Sequence, residues 1–132
     1  MPRAPRHPLF WLCASVIWFC VLWYLSSGTH AGFTLPPIEH FDKFQHFGYF
    51  FGGAVIFSAY LFRRNPANPR WRIIIPVVIL VMAAVGWLDE THQSFVPGRS
   101  GNDHFDWLAD ILGATAGALV FKAIHRRLKW DS

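Results

Sequence analysis

Four apolar runs divide the chain, and their lengths limit its fold more than any other feature of the sequence. The runs cover residues 9–25, 44–62, 73–88 and 107–124. Each is close to the roughly 17 to 25 residues that an α-helix needs to cross a bilayer. Hydrophobic residues make up 53% of the chain and charged residues 15%. We therefore expect an all-α integral membrane bundle of four transmembrane helices, with no second domain.

The positive charges mark one side of this bundle. Successive runs would cross the membrane in opposite directions, so the end of one run and the start of the next lie on the same side. Ten of the twelve Lys and Arg residues fall on one side in this way: Arg3, Arg6, Arg63, Arg64, Arg70, Arg72, Lys122, Arg126, Arg127 and Lys129. The positive-inside rule then predicts that both termini are cytoplasmic. We expect a disordered basic arm at residues 1–8, a four-helix domain at 9–125 and a basic tail at 126–132. Bases in this arrangement are a membrane topology signal, so nucleic acid is not an expected partner.

The first apolar run has an alternative interpretation as a signal peptide, because Thr29-His30-Ala31 loosely fits a cleavage site. The run is long for a signal core, however, and it carries Trp11 and Trp23 near its two ends, which favours a helix anchored at both interfaces. Residues 26–40 are then expected to form an external loop. Cys13 and Cys20 are seven residues apart on this helix. They would be about 10 Å apart along its axis, which is too far for a disulfide.

Acidic residues concentrate on the other side, at the outer ends of the last three runs. Seven of the eight acids fall there, with only Lys43 and Arg99 as bases: Glu39, Asp42, Asp89, Glu90, Asp103, Asp106 and Asp110. If the third helix continues one turn past Leu88, Asp89 and Gln93 align at positions i and i+4. We therefore expect a polar site at the outer membrane surface, formed by the ends of the second, third and fourth helices.

Two motifs contain most of these polar groups. They are Asp89-Glu90-x-x-Gln93-x-Phe95-x-Pro97-Gly98-Arg99 and Asp106-x-x-x-Asp110-x-x-Gly113-x-x-x-Gly117. Together with the segment at residues 42–50, they resemble the VanZ-like family, membrane proteins named after a teicoplanin-resistance protein. The resemblance covers residues 41–119 and implies a multi-pass membrane protein, with a role related to glycopeptide resistance. Asp110 departs from the family pattern, in which Asn is more common at this position.

The candidate functional residues are polar side chains at these outer ends. Glu90, Asp106 and His46 are the acid–base candidates, because carboxylates buried near one another can hold protons near neutral pH. The candidate substrate-binding residues are Lys43, Asp89, Gln93, Arg99 and Asp110.

Structural alternatives remain open for several of these residues. Arg99 either binds an anion or closes its loop on a carboxylate, since its planar fork suits both. Lys43 could extend to the membrane interface, and His46 could be satisfied by its neighbours. Asp106 could be a cap or first-turn acid that the helix dipole stabilises. Ser94 and Ser100 lack the turn of a serine nucleophile.

Neither a metal nor a cofactor is predicted from the sequence. A metal site would have to use His46, His92, Glu90, Asp106 or His104, which show no ligand spacing such as HExxH. Gly48 and Gly52 predict a close approach of the second helix to a neighbour. The protein could also form a homo-oligomeric channel or carrier, but no acid lies near the middle of the four runs.

Two functions therefore remain in consideration for a multi-pass protein of the cell membrane. The first is a binding protein whose extracytoplasmic polar site engages a lipid-linked envelope precursor, a glycopeptide antibiotic or another membrane protein. The alternative is a membrane-surface enzyme, a hydrolase or transferase acting on a lipid-linked phosphate or a cell-wall precursor. Isosteric changes such as Glu90→Gln should inactivate the enzyme and should be tolerated by the binding protein.

Overall fold

A computed structural model describes residues 2–28, 41–98, 101 and 103–131. The described residues form four α-helices, α1 (Pro8–Ser26), α2 (Phe41–Arg64), α3 (Trp71–Ser94) and α4 (His104–Ile124). An isolated bridge joins Ala4 to Trp130, and the described ranges contain no β-strand. The all-α prediction is confirmed. Each helix covers its predicted apolar run and extends beyond it into polar residues.

Local sequence explains where the helices begin and end. Pro8 opens α1, where the missing N–H of a proline costs least. Asp103 caps α4, because its Oδ1 accepts a hydrogen bond of 2.9 Å from the backbone N–H of Phe105. Helix α3 ends at Ser94, and the chain turns at Gly98 with a φ of 78°. Because α3 extends beyond its apolar run, residues 89–94 of the first polar motif lie within the helix.

Three of the four helices, α1, α3 and α4, are long and apolar enough to cross a membrane. Helix α2 is not one of them. Its middle is less apolar, with Gln45, His46 and several glycines, and its charges lie in its first and last turns. Helices α2 and α3 each contact the other three, whereas α1 and α4 do not touch each other. The less apolar α2 therefore lies beside three helices suited to a lipid environment.

Small residues bring α2 and α4 together. A Cβ added at Gly113 would collide with the carbonyl oxygen of Phe47, and one added at Gly117 would collide with that of Phe51. The glycine motif of α4 is therefore a helix contact, as membrane helices commonly use. The corresponding prediction for Gly48 and Gly52 was wrong, because a Cβ at either position would meet nothing within 4 Å.

Helix α1 makes its own close contact with α2, but at the neighbouring glycine. The indole ring of Trp18 lies against Gly53, leaving no room for a Cβ there. Two hydrogen bonds hold the contact, from Trp18 Nε1 to the Tyr49 carbonyl at 3.1 Å and from Tyr49 Oη to the Trp18 carbonyl at 2.7 Å. A glycine spacing alone could not reveal this, because the partner is an aromatic side chain and not a second small-residue face.

The basic arm also differs from its prediction, since it is not disordered. Ala4 N–H donates to the carbonyl of Lys129 at 2.7 Å, and Asp131 N–H donates to the carbonyl of Ala4 at 2.9 Å. Arg63 Nε donates to the carbonyl of Arg6 at 2.7 Å. The arm pairs with the residues after α4 and with the end of α2, so the two ends of the described chain lie at the same end of the bundle.

Candidate functional site

Six carboxylates gather at one end of the bundle, where α2 and α4 begin and α3 ends. We call them the acidic cluster, which consists of Asp42, Asp89, Glu90, Asp103, Asp106 and Asp110. Four of them are buried, with Asp110 at 0%, Asp89 at 1%, Glu90 at 3% and Asp106 at 7% exposure. Buried charges need partners, and the contacts of each acid therefore define the site.

Lys43 supplies the positive charge on one side of the cluster. Its Nζ lies 2.9 Å from Asp106 Oδ1, 3.2 Å from Asp42 Oδ2 and 3.3 Å from Asp103 Oδ2. The side chain is only 27% exposed, so it bridges acids on two helices and does not extend freely into the interface. Partial burial raises the pKa of Asp103. Hydrogen bonds from the Phe105 N–H and from Lys43 lower that pKa by more, so it lies below its usual value.

His46 occupies the other side, and one carboxylate fixes its ring. Its Nδ1 lies 2.8 Å from Asp110 Oδ1. An ionised carboxylate only accepts hydrogen bonds, so Nδ1 carries a proton in this pair. The opposite nitrogen, Nε2, lies 3.6 Å from Asp106 Oδ2 and 3.8 Å from Glu90 Oε1. Those distances exceed a hydrogen bond, so Nε2 faces two carboxylates without being bonded to either.

The end of α3 contributes a second buried polar group. Gln93 Nε2 donates to Asp89 Oδ2 at 2.9 Å, which confirms the predicted alignment of these residues one turn apart. Ser26 Oγ donates to Asp89 Oδ1 and ties α1 to the site. The sequence prediction missed Ser26 because the residue was assigned to an external loop. No motif signals it, since its role depends on where α1 ends beside α3.

Two carboxylate oxygens of the cluster are buried without a hydrogen-bond partner among the described residues. They are Glu90 Oε1 and Asp110 Oδ2. The second oxygen of Glu90 accepts a hydrogen bond of 3.1 Å from Asp103 N–H. Asp110 Oδ2 lies 2.7 Å from where a Cβ would stand on Gly86, so that glycine makes room for the carboxylate. Gly86 therefore helps to accommodate the site itself.

The predicted site residues separate into those that converge and those that do not. Lys43, His46, Glu90, Asp106 and Asp110 come together, with Asp89 and Gln93 beside them. Arg99 lies outside the described residues, as do residues 29–40 of the predicted external loop. His92 stacks on Trp23 with ring centroids 3.8 Å apart, and His104 is exposed. Asp103 was not among the predicted site residues, although its position three residues before Asp106 is typical of a helix cap.

Among the described residues, two groups of donor atoms are close enough together to hold a metal ion. One comprises Asp42, Asp103 and Asp106, and the other comprises His46, Asp89 and Glu90, with donor atoms within 4.8 Å of one another in each. No spacing motif predicted the second group, because its residues come from α2 and α3 and meet only in the folded bundle. Chemically, the cluster can hold a cation, bind a positively charged group or transfer a proton through His46.

These features define a small helical membrane protein with a polar cluster at one end of its bundle. The model of the family described as VanZ/LLP1 matches residues 10–125. The chain therefore belongs to the VanZ/LLP1 family. Comparison with curated proteins gives no significant match. Comparison with solved structures gives none either.

Proposed function

We propose that this protein spans the membrane four times, with both termini in the cytoplasm and the acidic cluster on the extracytoplasmic side. Two observations support the proposal. Helix α2 packs against three span-length apolar helices and carries its charges only in its end turns. The ten Lys and Arg residues that mark one side of the bundle lie at the end away from the acidic cluster, and the positive-inside rule assigns that end to the cytoplasm.

Cysteine labelling tests this topology. Cys13 and Cys20 are first replaced by Ala, and a single cysteine is then introduced by Ser94→Cys or Arg127→Cys at two exposed positions. A membrane-impermeant maleimide applied to intact cells should label position 94, whereas position 127 should react only after permeabilisation. Labelling of position 127 in intact cells would contradict the proposed orientation.

The function that the geometry favours is binding of a cell-envelope component at the acidic cluster. The observation that carries it is the imbalance of charge: the five carboxylates of Asp42, Glu90, Asp103, Asp106 and Asp110 share Lys43 and His46 as their basic contacts among the described residues. An acidic site at the outer surface attracts a positively charged group, such as an amine of a lipid-linked envelope precursor, a glycopeptide or a neighbouring membrane protein. Family membership is consistent with a role related to teicoplanin resistance.

A membrane-surface enzyme is the second candidate, favoured by one specific contact. Asp110 holds His46 Nδ1 at 2.8 Å, as an orienting carboxylate holds a catalytic base. His46 would then act as a general base through Nε2, with Glu90 or Asp106 as the acid. Lys43 and Arg99 would bind a phosphate or carboxylate of the substrate.

Three variants separate these functions. Cells without their own copy of the protein receive the wild type, Glu90→Gln, or the double variant Phe95→Ala and Phe105→Ala. The two aromatic residues are 81% and 70% exposed on either side of the loop near the cluster. His92→Gln is the matched control, because its ring lies at the same end of the bundle but stacks on Trp23. Envelope lipids and cell-wall precursors are measured by mass spectrometry, and teicoplanin susceptibility is scored, at equal membrane levels of each variant.

A binding protein should keep most of its phenotype with Glu90→Gln, because glutamine preserves the shape of the site and five carboxylates of the cluster remain to attract a positive group. It should lose the phenotype when the exposed aromatic surface is removed. Precursor profiles should stay unchanged in every strain. Accumulation of one precursor with Glu90→Gln, but not with His92→Gln, would reject the binding proposal and identify the substrate class of an enzyme.

A further inference from the structure

The acidic cluster contains one donor group that its protein neighbours leave incomplete. His46 presents Nε2 towards Glu90 Oε1 at 3.8 Å, and one donor atom from each of His46, Asp89 and Glu90 lies within 4.8 Å of the other two. The Glu90 side chain is only 4% exposed, and Oε1 has no hydrogen-bond partner among the described residues. A buried carboxylate oxygen in that state is costly unless a cation reaches it.

The other donor group shows what a completed site looks like. Asp42, Asp103 and Asp106 surround the ammonium of Lys43, with each oxygen 2.9 to 3.3 Å away. A protein cation therefore already satisfies that group. Around His46 Nε2 and Glu90 Oε1, no lysine or arginine among the described residues takes the equivalent position.

The separation between the donors fits a metal better than a hydrogen bond. At 3.6 and 3.8 Å, Nε2 is too far from the Asp106 and Glu90 oxygens to donate a hydrogen bond to them. Ligand bonds of about 2.1 Å in a tetrahedral site hold neighbouring ligand atoms about 3.4 Å apart. A small adjustment of the side chains would therefore bring His46 Nε2 and the Glu90 oxygen to the spacing of two ligands of one metal ion.

The hydrogen bond at Nδ1, the other ring nitrogen of His46, is of the kind usually found at metal-binding histidines. A histidine that binds a metal usually donates its other N–H to a carboxylate, which fixes the tautomer and the ring orientation. Asp110 Oδ1 accepts that bond from Nδ1 at 2.8 Å, and Asp110 is fully buried. When Nε2 gives up its proton, its lone pair is directed towards Glu90 and Asp106.

We propose that His46 Nε2, Asp89 and Glu90 bind one divalent transition-metal cation, with Asp110 as the residue that positions the imidazole. Asp89 keeps its hydrogen bonds to Ser26 and Gln93, since a carboxylate has lone pairs for several partners. A single imidazole among carboxylates suits Mn²⁺ or Zn²⁺ better than the harder Mg²⁺. The site goes beyond the proposed binding function and does not depend on it.

The test uses the purified full-length protein in detergent micelles, stripped with a chelator and titrated with Mn²⁺ alone. Loss of the electron paramagnetic resonance signal of free Mn²⁺ measures binding. We expect one saturable site per chain, which Zn²⁺ displaces. Glu90→Gln and His46→Gln should each weaken binding at least tenfold, and Asp110→Asn should weaken it by about ten- to a hundredfold. His92→Gln should bind as the wild type does.

A spin-echo measurement on bound Mn²⁺ keeps the proposal testable even if a variant misfolds. Wild type and His92→Gln should both show the nitrogen coupling of one coordinated imidazole. A wild-type protein without a saturable site would overturn the proposal, and so would bound Mn²⁺ without nitrogen coupling or a Glu90→Gln variant with wild-type affinity. No envelope component is present in this assay, so its outcome is separate from that of the binding function.

Discussion

The two ends of the bundle use opposite arrangements of charge and apolar side chains. At the acidic end, carboxylates are inside and large apolar residues such as Phe95 and Phe105 are outside. At the basic end, Phe62 and Phe121 are buried against the half-buried Trp71, while Arg64, Arg126 and Arg127 are exposed. An open cavity of about 420 Å³ at the basic end is lined mainly by aromatic, proline and basic residues.

This difference indicates that the acidic end of the bundle, and not the basic end, depends on specific polar partners. Exposed bases are the ordinary termini of membrane helices and need no specific partner. Buried acids are expensive in a membrane protein, and they are retained where charge is used or paired. In the polar interior, hydrogen bonds connect α1 to α3 (Ser26 to Asp89), α2 to α4 (Lys43 to Asp106) and the cap of α4 to α3 (Asp103 to Glu90). At the other end, aromatic rings pack together beside the paired chain ends.

Removing Asp110 should have the largest effect, because it breaks a fully buried pair. Asp110→Ala leaves the Nδ1–H of His46 without its acceptor, and loss of one buried partner typically costs about 3 to 5 kcal/mol. Thermal or denaturant unfolding in micelles measures the loss. Asp110→Asn is the matched control, since its amide oxygen can still accept from His46. It should cost about 1 kcal/mol, because one amide hydrogen stays buried without a partner.

Equal stabilities of the alanine and asparagine variants would contradict this account of the acidic end. The cost would then reflect the loss of the negative charge at position 110, which both variants share, and the hydrogen bond to His46 would contribute little.

The corresponding change at the basic end is Phe121→Ala. Phe121 is 1% exposed, and its ring contacts those of Phe62, Trp71 and His125 at centroid distances of 5.8 to 6.4 Å. Loss of a buried phenylalanine ring costs about 3 kcal/mol by opening a cavity. Unfolding should shift by the same amount in low and high salt, because the loss is one of packing.

Phe121→Leu is the control for that prediction, since it keeps most of the apolar volume and should cost about 1 kcal/mol. A salt-dependent loss would mean that a charge interaction, such as Arg63 over Trp130 at 4.7 Å, contributes to this end. Equal losses for leucine and alanine would mean that the ring contacts of Phe121, and not its apolar volume, stabilise the packing.

The sequence was enough to predict the parts of the fold that depend on regular spacing. Helix period and run length located four helices, and the i, i+4 spacing placed Gln93 against Asp89. Gly113 and Gly117 lie at a close helix contact, whereas Gly48 and Gly52, for which such a contact was predicted, do not. An identical spacing can face a neighbour or open space, and only the rotation of each helix decides between them.

The candidate site was only partly predictable for a related reason. Clustering of acids at one end follows from the alternating direction of successive helices, so the residues could be named. Their pairing could not, because Lys43 contacts residues 60 and 63 positions away, and Ser26 reaches Asp89 across 63 positions. Such contacts depend on how far each helix slides along its neighbour.

The smallest predicted effect concerns Asp103, the exposed edge of the acidic cluster. Asp103→Ala removes the cap that accepts from Phe105 N–H, which should cost about 1 kcal/mol at pH 7. Asp103→Asn can still cap α4 but loses the charge that faces Lys43 at 3.3 Å. It should therefore cost less than the alanine variant, since partly exposed ion pairs contribute between about 0 and 1 kcal/mol.

The difference between the wild type and Asp103→Asn should depend on pH in one direction. Because the folded state lowers the pKa of Asp103, its stabilising contribution is fully present above the unfolded pKa of about 4. The contribution is lost as the pH falls through the folded pKa. Unfolding at pH 7 and pH 3 measures the change, with Arg64→Gln at the basic end as the control for general acid effects. A difference that grows on acidification would show that the Asp103 charge opposes its neighbours and does not stabilise the acidic end.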